Sequence, residues 1–279
     1  MTRLKKTLTS ATAVAALILA LAACSAAGDD AGSAATAEPS GGTTDPSLAD
    51  VLDAGVLTVG TEGTYRPFSF HQDGSGDLTG YDVEVVEAIA AELGVDVEFE
   101  ETQWDAIFAG LEAGRFDVIA NQVSITPERE EAYTFSNPYT VSTGVIVVPA
   151  DDDSITSFES LAGRTTAQSL TSNWYALAEE SGATIEAVEG WAQSVALVEQ
   201  GRVDATINDK LTFLDYAQTN DASGLKIAAE TEEESLSAFA FAKDSTTLAE
   251  AVNGALAALA QDGTLTEISE KYFGEDVSN

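Results

Sequence analysis

The sequence predicts an α/β chain of two similar lobes, each a parallel sheet flanked by helices, joined to one another by two crossover strands. Three observations predict it. Apolar strands alternate with amphipathic helices through residues 56–120 and again through 165–218, and that order builds parallel sheets. A segment occurs twice: Leu111-Glu-Ala-Gly114-Arg-Phe-Asp117-Val-Ile-Ala-Asn121 returns as Val198-Glu-Gln-Gly201-Arg-Val-Asp204-Ala-Thr-Ile-Asn208, with Glu, Gly, Arg, Asp and Asn in step. Two β-rich runs, 141–148 and 236–242, stand where the chain leaves the first lobe and returns to it.

Taken in order, the chain opens with Arg3, Lys5 and Lys6, then an apolar run over residues 11–23, then Cys24. A basic start and a short apolar stretch have the form of a secretory signal; a spanning helix would need about 20 apolar residues. Leu21-Ala22-Ala23-Cys24 also resembles a bacterial lipobox. That resemblance implies cleavage before Cys24 and lipidation of its thiol, hence an anchor in the cell membrane. Cys24 is the only cysteine, which leaves the exported part without an internal disulfide. Residues 25–46 are Ala, Gly, Ser, Thr and Asp with almost no large apolar side chain, the composition of a flexible tether.

Charge excludes some roles. Without residues 1–23 the chain keeps 9 of its 12 Lys and Arg against 47 Asp and Glu, so its net charge is 9 − 47 = −38. Nucleic acid is excluded as a partner, because there is no basic surface to replace counterions. The single His71 excludes a His-based metal site or a His-dependent triad, and no cofactor is expected.

In the first lobe a strand is expected at 56–60 and a turn at 74–80. A helix follows from Asp82, with Val83, Val86, Ile89, Ala90 and Leu93 on one stripe and Gly94 closing it. Residues 95–101 alternate apolar and acidic as a half-exposed strand does. Trp104, Ile107, Phe108 and Leu111 mark a second helix stopped by Gly114, and 116–120 reads as a buried strand. In the second lobe strands are expected at 165–168, 184–188 and 203–207, and helices at 172–180, 191–200 and 209–218. Separate strands at 225–229 and 236–241 precede two closing helices at 248–261 and 265–272. The boundaries are 1–23 for the signal, 24–46 for the lipidated Cys and tether, 47–143 with 240–279 for lobe 1, and 144–239 for lobe 2.

Functional residues gather at strand ends. Asn121, Gln122, Ser124 and Thr126 crowd polar groups after the strand at 116–120, and Arg129 follows within a turn. Ligands of open α/β sheets bind outside the strand carboxyl ends, and Arg grips a carboxylate with its planar fork. Thr126-Pro127 reads as a helix start. In the second copy Asp209 stands at the matching place, where it suits an ammonium as well as a helix cap. Tyr65 and Phe70, with Trp104, would wall an apolar ligand body, while Phe68 beside Pro67 reads as core. Glu62 would meet a second cationic group or be one of many surface acids. Gln168-Ser-Leu-Thr171-Ser172-Asn-Trp174 follows a strand and opens a helix, offering hydroxyls and N–H groups to an anion.

Gly63-Thr-Tyr-Arg-Pro-Phe-Ser-Phe70, Asn121-Gln-Val-Ser-Ile-Thr-Pro-Glu-Arg129 and Leu170-Thr-Ser-Asn-Trp174 make the chain resemble the polar amino-acid-binding proteins of ABC importers. The resemblance covers residues 57–274 and implies the two-lobed type II periplasmic-binding-protein fold, with two Rossmann-like lobes. It implies that Arg129, the backbone around Gln122 and Ser124, and Thr171 take an α-carboxylate. Asp209 then takes the α-amino group, and Tyr65 and Phe70 flank the side chain. Glu62-Gly-Thr-Tyr65 and Asn121-Gln-Val123 look most like cystine binders, whose ligand carries a second ammonium for Glu62. Arg66 departs from that subgroup, where a second Pro often stands. The expected protein is an extracytoplasmic, lipid-anchored monomer that hands an amino acid, L-cystine in the first instance, to an ABC permease. The alternatives are another polar amino acid such as glutamine or glutamate, a dehydratase-like enzyme, or a sensor domain. The sequence shows no nucleophile–base pair and no downstream spanning helix to support the last two.

Overall fold

The repeated strand–helix pattern folds into one continuous sheet. The computed structural model describes residues 45–278; the expected signal, Cys24 and the expected tether up to residue 44 lie outside the described residues. The chain begins with α1 (Ser47–Ala54) and β1 (Val56–Thr61), then a small antiparallel sheet of β2 (Thr64–Tyr65), β3 (Ser69–His71) and β4 (Leu78–Thr79). It continues through α2 (Tyr81–Leu93), β5 (Asp96–Glu101), α3 (Trp104–Glu112), β6 (Val118–Ser124), the short α4 (Pro127–Ala132) and β7 (Tyr133–Phe135). The second lobe holds β8 (Thr140–Pro149), β9 (Thr165–Gln168), α5 (Asn173–Glu180), β10 (Thr184–Ala187), α6 (Trp191–Glu199), β11 (Ala205–Asp209) and α7 (Lys210–Thr219). The long β12 (Leu225–Ala242) returns the chain to α8 (Thr246–Asp262) and α9 (Thr264–Phe273).

The main sheet runs β10-β9-β11-β8-β12-β6-β1-β5, with β7 added against β12. At each end three strands are parallel, as the alternation predicts: β5-β1-β6 in one lobe and β10-β9-β11 in the other. The two β-rich runs lie antiparallel beside each other, Ser142 opposite Ser235 and Thr140 opposite Ser237. They join the two halves of the sheet and are the strands by which the lobes are connected.

Helices cover both faces. Val85, Val86 and Ile89 of α2 and Leu248, Val252 and Leu256 of α8 pack on Val59 and Val118. Ile107 and Leu111 of α3 cover Ile119 and Val123 on the opposite face. In the second lobe Val145 and Val147 face Trp191, Val195 and Val198, while Ile146 and Val148 face Leu161 and Ala178. A strand buried on both faces needs an unbroken apolar run rather than an alternating one, which is why 145–148 reads as it does.

Two expectations are corrected. The strands expected at 225–229 and 236–241 are one strand of 18 residues, β12, with register shifts at Ile227/Ala229 and Glu230/Glu234. Its middle, 231–234, is acidic and lacks apolar alternation, so periodicity breaks there while the backbone continues. The strand expected to end at Ala120 runs on to Ser124, because β12 pairs Ser237 with Ser124 and Ala238 with Val123. The pairing is irregular around Gln122, a residue other than glycine held at φ +50°. The helix α1 and the small β2–β4 sheet carry no strong period and were not anticipated.

Candidate functional site

The carboxyl ends of β1 and β6 in one lobe and of β9 and β11 in the other face a shared cavity with about 60 Å³ of room for the centres of water-sized molecules, placed where ligands of open α/β sheets bind. Glu62, Tyr65, Trp104, Asn121 and Gln122 line it from the first lobe. Gln168, Ser169, Ser172, Asn173, Trp174, Glu189, Gly190, Trp191, Ser194 and Asn208 line it from the second.

Three of its residues carry buried polar atoms without a hydrogen-bond partner: Trp104 Nε1, Gln122 Oε1 and Gln168 Nε2. Among the described residues only Thr166 Oγ1 shares that condition. Leaving such an atom unpaired costs about 1–3 kcal/mol, so their grouping at one cavity marks a place shaped for a polar molecule.

The cavity is also acidic. Asn121 donates from Nδ2 to Glu62 Oε2 at 2.6 Å, and its Oδ1 accepts from the Glu62 backbone N–H at 2.9 Å. Burial pushes the Glu62 carboxyl up to about 7; the Asn121 bond opposes this, while Asp105 and Glu189 add to it. A cation brought to Glu62 would relieve both burdens. A second hollow continues past Glu62, Tyr65, Glu189, Gly190 and Trp191 to the surface.

The lobes are closed on each other. Arg129 Nη2 donates to the Thr171 carbonyl at 3.1 Å, and Thr171 donates from N and Oγ1 to Asp105 Oδ1 at 3.1 and 2.7 Å. Tyr65 donates to Asn208 Oδ1 at 2.9 Å and lies 3.0 Å from Thr212 Oγ1, and Arg66 Nε pairs with Asp215 at 3.2 Å. Arg129 is 9% exposed. Its guanidinium lies over the rings of Trp104 and Phe108, at 5.4 and 5.3 Å from their centroids, and Nη1 donates to the Ser124 carbonyl at 2.9 Å. Burial lowers it to about 10, so it stays charged at neutral pH.

The structure thus brings Glu62, Tyr65, Trp104, Asn121, Gln122 and Ser172 to the cavity wall. Arg129 stands immediately behind Trp104, spanning the lobes. Thr171 is engaged by Arg129 and Asp105. Asp209 caps α7 through Leu211 N–H at 2.8 Å and accepts from Ser142 Oγ at 2.7 Å; burial pushes its carboxyl up to about 6. Phe70 lies under the Arg66 guanidinium, 4.0 Å from its ring centroid. Ser124 lies beside Ser235 at 3.3 Å and borders a separate hollow near the crossover strands. Phe68 is fully buried in the core, as expected.

Sequence reasoning missed Glu189, Gly190, Trp191 and Ser194. A single acid and a helix-starting Trp carry no signal above their surroundings. It also missed Asp82, which is wholly buried and bonded to Gln122.

Comparison with known proteins agrees with this geometry. The profile of the bacterial extracellular solute-binding proteins, family 3, matches residues 57–275. The L-cystine-binding protein TcyA of Bacillus subtilis (strain 168) is 49% identical over 262 residues, 94% of this chain and 95% of its own. The L-cystine solute receptor of Neisseria gonorrhoeae, in its unliganded open conformation, is 46% identical and superposes with a TM-score of 0.57 over 83% of this chain and 99% of that one. An ancestral arginine-binding protein bound to arginine is 36% identical and superposes at 0.74, over 79% and 99%. A poorer superposition at higher identity is what two lobes swung apart about their crossovers produce. It accords with the interlobe hydrogen bonds: the arrangement here is the closed one.

Proposed function

The chain belongs to the bacterial extracellular solute-binding proteins of family 3, and from that premise we propose that it captures L-cystine between its lobes and delivers it to an ABC importer. The family and the relatives are substrate-binding proteins, and binding, not catalysis, is the role we infer. The observation that carries the reading is the closed cavity with two orphaned N–H donors, an orphaned carbonyl acceptor and the desolvated carboxyl of Glu62. The donors of Trp104 and Gln168 suit a carboxylate. Glu62, facing the second lobe near Glu189, suits an ammonium at the far end of a two-headed ligand. The relative and the solved receptor named for L-cystine support that choice.

Capture would proceed from an open form, with closure favoured because the ligand touches both lobes at once. The Arg129–Thr171–Asp105 contacts and the Tyr65–Asn208 bond form only when the lobes meet, so they add to that bias. In this reading Arg129 lends its charge from behind Trp104 to the carboxylate met by Trp104 and Gln168, Asp209 keeps its bonds to Ser142 and α7, and Cys24 carries the lipid that keeps the monomer at the membrane beside its permease. A second reading keeps the role and changes the ligand: an acidic cavity also suits arginine, as in the arginine-bound neighbour.

Calorimetric titration of the purified protein with a panel of L-amino acids including cystine tests the reading. Tight binding of cystine above the others is expected. Tight binding of arginine or glutamine alone would overturn the ligand, and wild-type cystine affinity in Glu62→Gln would remove the distal ammonium from Glu62.

A further inference from the structure

Asp82 makes contacts that this binding role does not yet use. It lies in the first turn of α2, wholly buried. Its Oδ2 accepts the backbone N–H of Gln122 at 2.9 Å, and its Oδ1 accepts from Gln122 Nε2 at 2.6 Å. Nε2 also donates to Thr140 Oγ1 at 3.1 Å. Both hydrogens of the amide nitrogen are therefore engaged among Asp82, Thr140 and the Tyr139 hydroxyl, none of which lines the cavity. The backbone bond holds Gln122 in the left-handed region, φ +50°, which side chains other than glycine rarely occupy.

An ionised carboxylate accepts hydrogen bonds and cannot donate them. Facing Asp82, the Gln122 amide must present nitrogen, and its oxygen must point elsewhere. That oxygen is buried without a partner, and Gln122 lines the ligand cavity. The other orphaned atoms there, Trp104 Nε1 and Gln168 Nε2, are both donors. Two donors and one acceptor complement a carboxylate and an ammonium. With the amide turned over, the orphaned set would be donors alone, and the oxygen would abut a carboxylate.

We propose that Asp82 is a positioning residue: it locks the Gln122 amide with its oxygen free, and so reserves that oxygen as an acceptor for the ligand's ammonium. The proposal rests on the amino-acid-binding reading above. It goes beyond a structural role for a buried acid, because it states which end of an amide the ligand meets.

Asp82→Asn tests it with little change of shape. The Asn oxygen still accepts the backbone N–H, but its Nδ2 can no longer accept from Gln122 Nε2, so the two amide nitrogens face one another unless Gln122 turns over, the Tyr139 hydroxyl being the other acceptor at hand. Adding Gln122→Glu restores an oxygen on both sides. Titrated with L-cystine at about pH 8, above the value of about 6 to which burial raises the Asp82 carboxyl, Asp82→Asn should bind at least about tenfold more weakly than wild type. The double variant should return to within about threefold of wild type. In the NMR spectrum of the ligand-free wild type, the Gln122 side-chain amide protons should be protected from exchange; in Asp82→Asn they should lose that protection. Wild-type affinity in Asp82→Asn, or a double variant no tighter than the single while both melt near wild type, overturns the lock. If the wild type binds no amino acid, the functional reading falls and the lock is judged on the amide protons alone: unprotected ones overturn it. The same spectrum decides if Asp82→Asn does not fold.

Discussion

Glu112 accepts the Tyr133 hydroxyl at 2.6 Å in the first lobe, and in the second Glu199 accepts the Tyr216 hydroxyl at 2.8 Å. Gly114 and Gly201 turn the chain at φ +65° and +64°. Asp117 Oδ2 accepts the Thr58 N–H at 2.9 Å, and Asp204 Oδ2 accepts the Thr165 N–H at 2.7 Å. So the two copies of the repeat stitch helix to strand, and strand to its parallel neighbour, in the same way. They part at the last residue. Asn121 turns inward to Glu62 of its own lobe, whereas Asn208 accepts from Tyr65 of the other. After Asn208 the next residue already caps α7, but after Asn121 the strand continues through Gln122 to Ser124 before α4 brings Arg129. The repeat supplies scaffold, and in the proposed role the difference between its two exits supplies recognition. One exit holds charge and donors, and the other is a latch.

The largest effect should come from breaking the extended exit. Arg129→Ala removes a buried cation that also ties Ser124 to Thr171. It should weaken cystine binding by about 2–5 kcal/mol, measured by calorimetry.

Next come the shared stitches, which should act on stability alone. Asp117→Ala strands both the N–H and the hydroxyl of Thr58, the latter now bonded at 2.6 Å, and should cost about 2–3 kcal/mol. Asp204, with a side chain 39% exposed, should cost about 1 kcal/mol on the same change. Thermal or urea melts check both, and an equal loss would mean the copies are energetically alike after all.

The latch should matter less. Tyr65→Phe loses the bond to Asn208 and leaves the fold of each lobe intact, so cystine affinity should fall by about 0.5–1.5 kcal/mol. The loss should appear as a more open ensemble in solution scattering. An unchanged ensemble would separate Tyr65 from closure.

The smallest effect is a pH slope. Burial raises Glu62 to about 7 and Asp82 and Asp209 to about 6. A carboxyl raised on folding binds more protons folded than unfolded, so the ligand-free protein should lose stability as pH rises from about 4 to about 7. Glu62→Gln should flatten the upper part of that window. Binding of a cation at Glu62 should lower its pKa and release a proton near neutral pH. Calorimetry in buffers of different ionisation enthalpy reads that proton directly.

Much of this was legible before any coordinates. The helices closing at Gly94 and Gly114 and the unbroken run at 145–148 announce themselves by period, because a buried face imposes one. Asn121, Gln122 and Arg129 were legible as a polar cluster at a strand end. The joined β12 was not, since its acidic middle is held by backbone pairing that leaves no pattern in side chains. Glu189 and Trp191 were not, because a cavity wall needs only one side chain at each place and no spacing between them. Asp82 hid in the first turn of a helix, where an acid is ordinary.

By itself, the sequence determined the two lobes, the parallel order within each and the polar strand ends, because local periodicity and the repeat are written along the chain. Only the tertiary structure decided which polar atoms face one another across the cleft. It made Asp82 a partner of Gln122, set Arg129 against the Thr171 carbonyl, and turned Asn121 inward and Asn208 outward. The physical reason is range: period and capping act over a few residues, whereas a hydrogen bond between residues 82 and 122, or 65 and 208, exists only once the sheet has brought their strands together.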